Sequence, residues 1–151
     1  MLAAMPADHP AFLVPVPEER NRAARPPREV AVLVVDDSEA FRYAIGRSLA
    51  HEGYRVLEAS NGDEALDVLA DNDDVQALVV DLVMPGLSGV ELLRVLAQRK
   101  VRKPLHIVVC TGQLPVTQEL REVLASVGVT SLLTKPCTLE QLLEAFKEDE
   151  P

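Results

Sequence analysis

Five polar residues directly follow apolar runs of the sequence, and together they could bind a phosphoryl group and a metal ion. One run ends on Asp36 and Asp37, a second on Asp81, a third on Thr111, and a fourth is followed by Lys135. The carboxyl ends of strands in an open parallel sheet meet at one edge, and ligands bind there. If the runs are parallel strands, three carboxylates, a hydroxyl and an amine therefore lie at one edge.

The charges of these side chains indicate which chemistry they could perform. Three neighbouring carboxylates repel one another, and one takes up a proton unless a cation lies between them. Mg²⁺ fits such oxygen ligands because it keeps several waters and binds beside phosphate. Lys135 would offer a positive charge to a phosphoryl group and Thr111 a hydroxyl donor. Asp81 stands alone at the end of its run, before the turn Met84–Gly86, and is the best-placed nucleophile for forming an aspartyl-phosphate.

Each of these residues also has a purely structural explanation when it is considered alone. Asp36 or Asp37 could cap a helix, Asp81 could begin a turn, and Lys135 could lie on the solvated surface. The functional interpretation therefore depends on their joint position at one edge of the predicted sheet.

The elements that would position these residues alternate from Glu29 onward between short β-branched runs and amphipathic stretches, which predicts a parallel α/β sheet. The predicted strands are Val30–Val35, Tyr54–Ser60, Val75–Asp81, Leu105–Thr111 and Ser131–Thr134. An amphipathic stretch that predicts a helix follows each strand. Ser88 with Glu91 and Thr138 with Gln141 have the spacing of capping boxes, which predicts where two of the helices begin.

Residues 1–28 differ in composition from the rest of the chain. They contain six of the eleven prolines and four arginines, and they show no apolar period. This composition predicts a flexible leader, although a docking segment for a partner is an alternative. We expect residues 29–149 to form one domain and no output domain to follow it.

Composition and charge exclude several other classes of protein. The net charge of −9 argues against non-specific binding to nucleic acid or to an anionic membrane. The sequence has neither a bilayer-spanning apolar run nor a signal peptide, so we expect a cytoplasmic protein. Cys110 and Cys137 form no disulfide framework and lack zinc-site spacing. They fit a reducing cytosol, and we expect them to be small residues in or near the core, because nothing nearby marks a reactive thiol.

Four sequence blocks resemble the receiver domain of two-component response regulators: "VVDDS", "VVDLVMPGLSG", "VVCTG" and "LLTKPC". They occur in the family's order, with 45 residues from Asp36 to Asp81, 30 from there to Thr111 and 24 from there to Lys135. The resemblance covers Val30 to about Lys147. It implies a flavodoxin-like, doubly wound sheet of five parallel strands in the order 2-1-3-4-5, with helices on both faces.

The resemblance also implies roles for individual residues. Asp81 would be the phosphoacceptor, Thr111 and Lys135 would bind the phosphoryl oxygens, and the peptide between Lys135 and Pro136 would be cis. A Mg²⁺ ion would be held by oxygen ligands, namely Asp37, Asp81, the backbone carbonyl of Val83 and, largely through water, Asp36. The chain would be a signalling phosphoacceptor rather than an enzyme, with Mg²⁺-dependent self-phosphorylation and self-dephosphorylation chemistry.

The partners implied by the resemblance are a sensor histidine kinase or a histidine phosphotransfer protein, and an unknown downstream protein. Leu132 departs from the family, which usually has Tyr or Phe three residues before the lysine. In the family, that aromatic residue and the hydroxyl at the position of Thr111 form the usual switch. Leu132 has no ring, so the resemblance does not establish that this chain signals by the usual mechanism. Cys137 also departs, since Phe often follows the family's Lys-Pro.

Three rival functions follow from the same residues. An aspartate-nucleophile phosphatase would need a second carboxylate two residues after Asp81, where Val83 stands. A DNA-binding regulator would need an additional basic domain. A receiver-like binding module that is never phosphorylated remains the alternative function, because an intact set of residues does not prove its use.

Overall fold

The structure, a computed structural model, describes residues 30–99, 105–112, 117–129 and 131–148. Strands and helices alternate along these ranges, which confirms the predicted α/β pattern. In chain order they are β1 (Ala31–Val35), α1 (Glu39–His51), β2 (Arg55–Ala59), α2 (Gly62–Asp71), β3 (Val75–Val80), α3 (Gly89–Gln98), β4 (His106–Thr111), α4 (Gln118–Ser126), β5 (Ser131–Thr134) and α5 (Leu139–Glu148).

The five strands form one all-parallel sheet in the order β2-β1-β3-β4-β5, which confirms the predicted order. The register brings the carboxyl ends of β1 and β3 level, and β4 extends two residues further. Val35 at the end of β1 pairs with Ala59 of β2 and with Val80 of β3, and Val80 pairs with Val109 of β4. The residues that follow these strands therefore meet at one edge.

Both faces of the sheet are buried, which explains why the inner strands read as continuous apolar runs. Along β1, Leu33 and Val35 belong to one core cluster, whereas Val32 and Val34 belong to the other. Helices α2, α3 and α4 cover the first cluster, and α1 and α5 cover the second. Each fully buried leucine or valine stabilises the fold by about 1.5–3 kcal/mol relative to an exposed side chain.

Side-chain caps fix where the helices begin. The side chain of Ser88 accepts a hydrogen bond from the backbone N–H of Glu91, whose carboxylate accepts one from the backbone of Ser88, so the predicted capping box is confirmed. Thr138 and Gln141 make the equivalent reciprocal contacts at 3.1 and 2.9 Å. Ser38 caps α1 directly after the aspartate pair. Such a cap typically stabilises a helix by about 1 kcal/mol, and here it also orders the loop that carries the pair.

Cys110 and Cys137 are joined by a disulfide, so the expectation that they form none is wrong. Cys110 is buried as expected, and Cys137 packs against the same cluster. The two lie 27 residues apart, and their Cα atoms are 6.6 Å apart. They meet because β5 lies beside β4, with Leu133 opposite Cys110, and the chain turns back after β5. Local sequence patterns give no signal of that contact.

The structure does not test where the predicted domain begins and ends. The predicted leader, residues 1–28, lies outside the described residues, as do residues 29 and 149 at the ends of the predicted domain. In the part of the chain that is described, the helices are all too short or too polar to span a bilayer.

Candidate functional site

Backbone hydrogen bonds hold three of the candidate residues at the edge of the sheet. The N–H of Asp36 donates to the last carbonyl of β2 at 3.1 Å, and the N–H of Asp81 donates to the carbonyl of Val35 at 3.0 Å. The N–H of Lys135 donates to the carbonyl of Thr111 at 2.7 Å. These bonds continue the pattern of the sheet by one residue, so the side chains start from rigid positions.

The Asp81 carboxylate lies at the centre of the candidate site and is almost fully buried. Its Oδ1 accepts hydrogen bonds from the Thr111 hydroxyl at 2.8 Å and from the backbone N–H of Val83 at 3.0 Å. Its Oδ2 accepts one from Lys135 Nζ at 3.0 Å. The structure thus brings the predicted phosphoacceptor into contact with both residues that were predicted to bind phosphoryl oxygens.

Asp36 is completely buried beside Asp81. Its Oδ1 accepts from the backbone N–H of Ser38 at 2.8 Å, and its Oδ2 accepts from Lys135 Nζ at 2.5 Å. Burial raises the pKa of the Asp36 carboxyl above its ordinary value, and the charge of Asp81 adds to this. The hydrogen bonds from Lys135 and Ser38 offset the rise only in part. A further cation near Asp36 would therefore favour its charged form.

Lys135 is held between the two buried carboxylates. Burial lowers the pKa of its amine, but the hydrogen bonds and charges of Asp36 and Asp81 outweigh burial, so the pKa is raised above its ordinary value. The amine also lies over the ring of Phe41, with Nζ 4.5 Å from the ring centroid. Lys135 is consequently a cation at neutral pH and remains so well into the alkaline range.

The three carboxylates predicted to bind metal are close enough to share one ion. One oxygen from each of Asp36, Asp37 and Asp81 lies within 4.8 Å of the others, and Asp37 is exposed to solvent. With Lys135 as the ammonium that contacts this cluster, two negative charges remain in excess when all groups are ionised. A set of carboxylate oxygens open to water on one side fits Mg²⁺.

Two further predicted residues lie at the surface. Val83, whose backbone carbonyl was predicted to bind the metal, has an exposed side chain, and its N–H faces the Asp81 carboxylate. Leu132, the predicted switch position, is 42% exposed on β5. Its neighbour Leu133 packs against the core instead. The peptide between Lys135 and Pro136 is cis, as the resemblance implied.

Sequence reasoning missed Arg42, which supports the aspartate pair. Its guanidinium donates to the backbone carbonyl of Asp36 at 2.6 Å and to the carboxylate of Glu58 at 3.1 Å. The second contact joins α1 to β2. Because Glu58 is 16 residues away along the chain, only the fold reveals that Arg42 braces the candidate site.

Gly89 is a second residue that sequence reasoning missed. It opens α3, and a Cβ atom at this position would lie 2.0 Å from the backbone oxygen of Asp81 and 2.8 Å from Leu82 Cα. The first turn of α3 can therefore approach the backbone of Asp81 only because residue 89 is glycine. A signal existed in the sequence, since glycine is a poor helix former and here directly follows a helix cap.

Comparison with known proteins gives a family and close relatives. A model of the family described as the response regulator receiver domain matches residues 32–147. Response regulator MprA from Mycobacterium tuberculosis is 42% identical over 118 residues, which are 78% of this chain and 49% of that protein. The protein of the same name from Mycolicibacterium vanbaalenii is 41% identical over an equal length. The chain thus spans about half the length of the curated relatives that it matches.

Solved structures with the same fold include receiver proteins from several bacteria. Chemotaxis protein CheY4 of Vibrio cholerae is 28% identical with a TM-score of 0.69, covering 79% of this chain and 97% of its own. A response regulator receiver protein from Pseudomonas putida is 29% identical with a TM-score of 0.72, covering 82% and 100%. A response regulator from Burkholderia pseudomallei, solved with a phosphorylated aspartic acid, calcium ion and citrate, is 31% identical with a TM-score of 0.65, covering 77% and 65%. The chain therefore belongs to the response regulator receiver domain family of two-component systems.

Proposed function

We propose that Asp81 accepts a phosphoryl group from a sensor histidine kinase or a histidine phosphotransfer protein, and that the modified chain signals through contacts with another protein. One observation carries this proposal: the buried Asp81 carboxylate contacts the Thr111 hydroxyl and the Lys135 ammonium, with two further carboxylates beside it. The Burkholderia pseudomallei response regulator, which contains a phosphorylated aspartic acid, supports it. The cytoplasmic location predicted from the sequence remains a prediction.

In the proposed step, one carboxylate oxygen of Asp81 attacks the phosphorus atom, and the bond from phosphorus to the donor breaks. The donor leaves with that electron pair, as histidine or as the carboxylate of a small acyl phosphate. Both Asp81 oxygens already accept hydrogen bonds, so the attacking oxygen must give up part of that pairing. Thr111 and Lys135 then donate to the phosphoryl oxygens, and the charge of Lys135 stabilises the negative charge there.

We propose that the metal ligands are Asp37, Asp81 and the backbone carbonyl of Val83, with Asp36 acting largely through water. A bound Mg²⁺ would offset the two excess negative charges and lower the repulsion that an incoming phosphoryl group meets. Asp36 already accepts hydrogen bonds at both oxygens, whereas Asp37 is exposed. The exposure of Asp37 supports its direct contact with the metal, whereas the contact of Asp36 through water is what the resemblance implies.

Asp37→Ala is expected to weaken Mg²⁺ binding strongly, and Asp36→Ala less. Mg²⁺ at ten times its dissociation constant should stabilise the unmodified chain by about 1.4 kcal/mol, which a thermal melt with and without Mg²⁺ would detect. Most of this stabilisation should be lost in the Asp37 variant at the same Mg²⁺ concentration. Asp73→Ala is a matched control, because it removes one exposed carboxylate from the loop before β3, at the opposite edge of the sheet. Unchanged Mg²⁺ affinity in Asp37→Ala would rule out this ligand set.

Exposure to acetyl phosphate tests the phosphoacceptor function as a whole. Intact-mass measurement should show the addition of one phosphoryl group in the presence of Mg²⁺ and none after chelation of divalent ions. A purified histidine kinase or phosphotransfer protein that carries phosphohistidine should act as donor under the same conditions. A chain that binds Mg²⁺ yet takes up no phosphoryl group from any of these donors would instead be a receiver-like binding module.

Phosphorylation is expected to change the face formed by α4, β5 and α5 only modestly. Leu132 has neither a ring nor a hydroxyl and is 42% exposed, so it can answer a movement of Thr111 toward a phosphoryl group only by a small apolar repacking. A smaller difference in contacts between two states gives a smaller population shift. Amide NMR shifts with and without beryllofluoride measure this change. Shifts across α4 and β5 as large as those beside Asp81 would contradict the expectation.

A further inference from the structure

The disulfide between Cys110 and Cys137 joins the two backbone segments that carry the phosphoryl-binding residues. Cys110 directly precedes Thr111 in β4, and Cys137 follows Lys135 by two positions in the loop before α5. The side chains of Thr111 and Lys135 contact opposite oxygens of the Asp81 carboxylate. A covalent bond at this place therefore restrains both groups that must rearrange around a phosphoryl group on Asp81.

The two cysteine residues differ in their exposure to solvent. Cys110 is 1% exposed within the second core cluster, whereas Cys137 is half-buried at the rim of the same cluster. The Cα–Cα distance of 6.6 Å lies within the range of natural disulfides. A small oxidant can thus reach Cys137 first, and Cys110 lies close enough to complete the bond.

We propose that Cys110 and Cys137 are a reversible redox modification site, and that their disulfide slows phosphoryl transfer to Asp81. The oxidant is hydrogen peroxide. The thiolate of Cys137 attacks one peroxide oxygen, which gives a sulfenic acid and releases hydroxide. The sulfur of Cys110 then attacks the sulfenic sulfur, so the S–S bond forms and water leaves. The two thiols lose two electrons and two protons, and the peroxide is reduced to two waters.

The slower phosphoryl transfer to Asp81 rests on the proposed function. Its cause lies in the contacts that Asp81 makes in the disulfide-bonded form. There the Thr111 hydroxyl lies 2.8 Å from one Asp81 oxygen and the Lys135 amine 3.0 Å from the other. Both groups must move from the carboxylate to the phosphoryl oxygens. The disulfide resists this by holding the end of β4 and the loop after β5 in their present arrangement.

The experiment uses the full chain, reduced with dithiothreitol and then treated with hydrogen peroxide. Alkylation followed by mass measurement counts the free thiols, and the labelling rate is then measured with acetyl phosphate and Mg²⁺. We expect oxidation to remove both thiols from alkylation, to slow labelling several-fold, and to be reversed by dithiothreitol. Cys137→Ser should form no intramolecular disulfide, and its labelling rate should not respond to peroxide.

Several outcomes would overturn the proposal. Both thiols could remain open to alkylation after peroxide treatment, which would exclude the modification site. A disulfide that dithiothreitol does not reduce in the folded chain would make the bond a permanent structural one. Equal labelling rates in the oxidised and reduced chains would remove the effect on phosphoryl transfer. If neither form is labelled, the proposed phosphoacceptor function fails instead, while the thiol count still decides whether the pair is reversible.

Discussion

Asp81→Asn is expected to abolish labelling of the chain by acetyl phosphate in the presence of Mg²⁺. The substitution replaces a carboxylate oxygen, the proposed nucleophile, with an amide nitrogen that does not attack phosphorus at neutral pH. The remaining amide oxygen can still accept hydrogen bonds from Thr111 and Val83, so the fold should persist. Intact-mass measurement of the variant and of the unmodified chain, incubated side by side, is the test.

A control variant separates loss of the nucleophile from loss of charge. Asp73→Asn removes one exposed carboxylate far from the candidate site and should be labelled at the rate of the unmodified chain. A thermal melt of Asp81→Asn without Mg²⁺ should show a folded protein. If the folded Asp81→Asn variant is labelled as fast as the unmodified chain, Asp81 is not the phosphoacceptor.

Gly89→Ala is expected to destabilise the fold by about 3 kcal/mol, at the upper end of the usual effect of overpacking. The added Cβ would lie 2.0 Å from the backbone oxygen of Asp81 and would also contact the backbone of Leu82. Backbone atoms cannot rotate away, so either α3 or the segment that carries Asp81 must shift. Urea unfolding measures the change in the free energy of unfolding, and the labelling rate should fall as well because the nucleophile is displaced.

Gly46→Ala is the matched control for this prediction. Gly46 is also a buried glycine of a helix, but a Cβ there would lie at an ordinary distance of 3.4 Å from Val56 Cγ1. Because alanine is the better helix former, this variant should be more stable than the unmodified chain by about 0.5–1 kcal/mol. If Gly89→Ala proved as stable as Gly46→Ala, the close approach of α3 to Asp81 would be wrong.

The fold could be predicted from the sequence because the inner strands are buried on both faces. Burial makes each of them a continuous apolar run, so the predicted strands Val75–Asp81 and Leu105–Thr111 differ from β3 and β4 by one residue at one end. Capping boxes likewise depend on neighbours in the chain, and both predicted ones formed. These features lie within a few residues of one another, where sequence patterns carry the most information.

The meeting of Asp36, Asp81, Thr111 and Lys135 was also predictable, because each either ends or directly follows a strand of one parallel sheet. The contacts that support these four residues could not be predicted from the sequence. Arg42 with Glu58 and Cys110 with Cys137 are pairs from different elements, and each depends on side-chain directions that no local pattern encodes. The roles of the four edge residues remain predictions that the geometry supports.

The most direct test of Asp81 as the phosphoacceptor is to locate the phosphoryl group on the labelled chain. Borohydride reduces an aspartyl phosphate to homoserine, so tandem mass spectrometry of the reduced and digested protein identifies the residue that carried it. We expect homoserine at position 81 alone, only after incubation with both a phosphoryl donor and Mg²⁺. A label on Asp36, on Asp37 or on a histidine, with an unmodified Asp81, would contradict it.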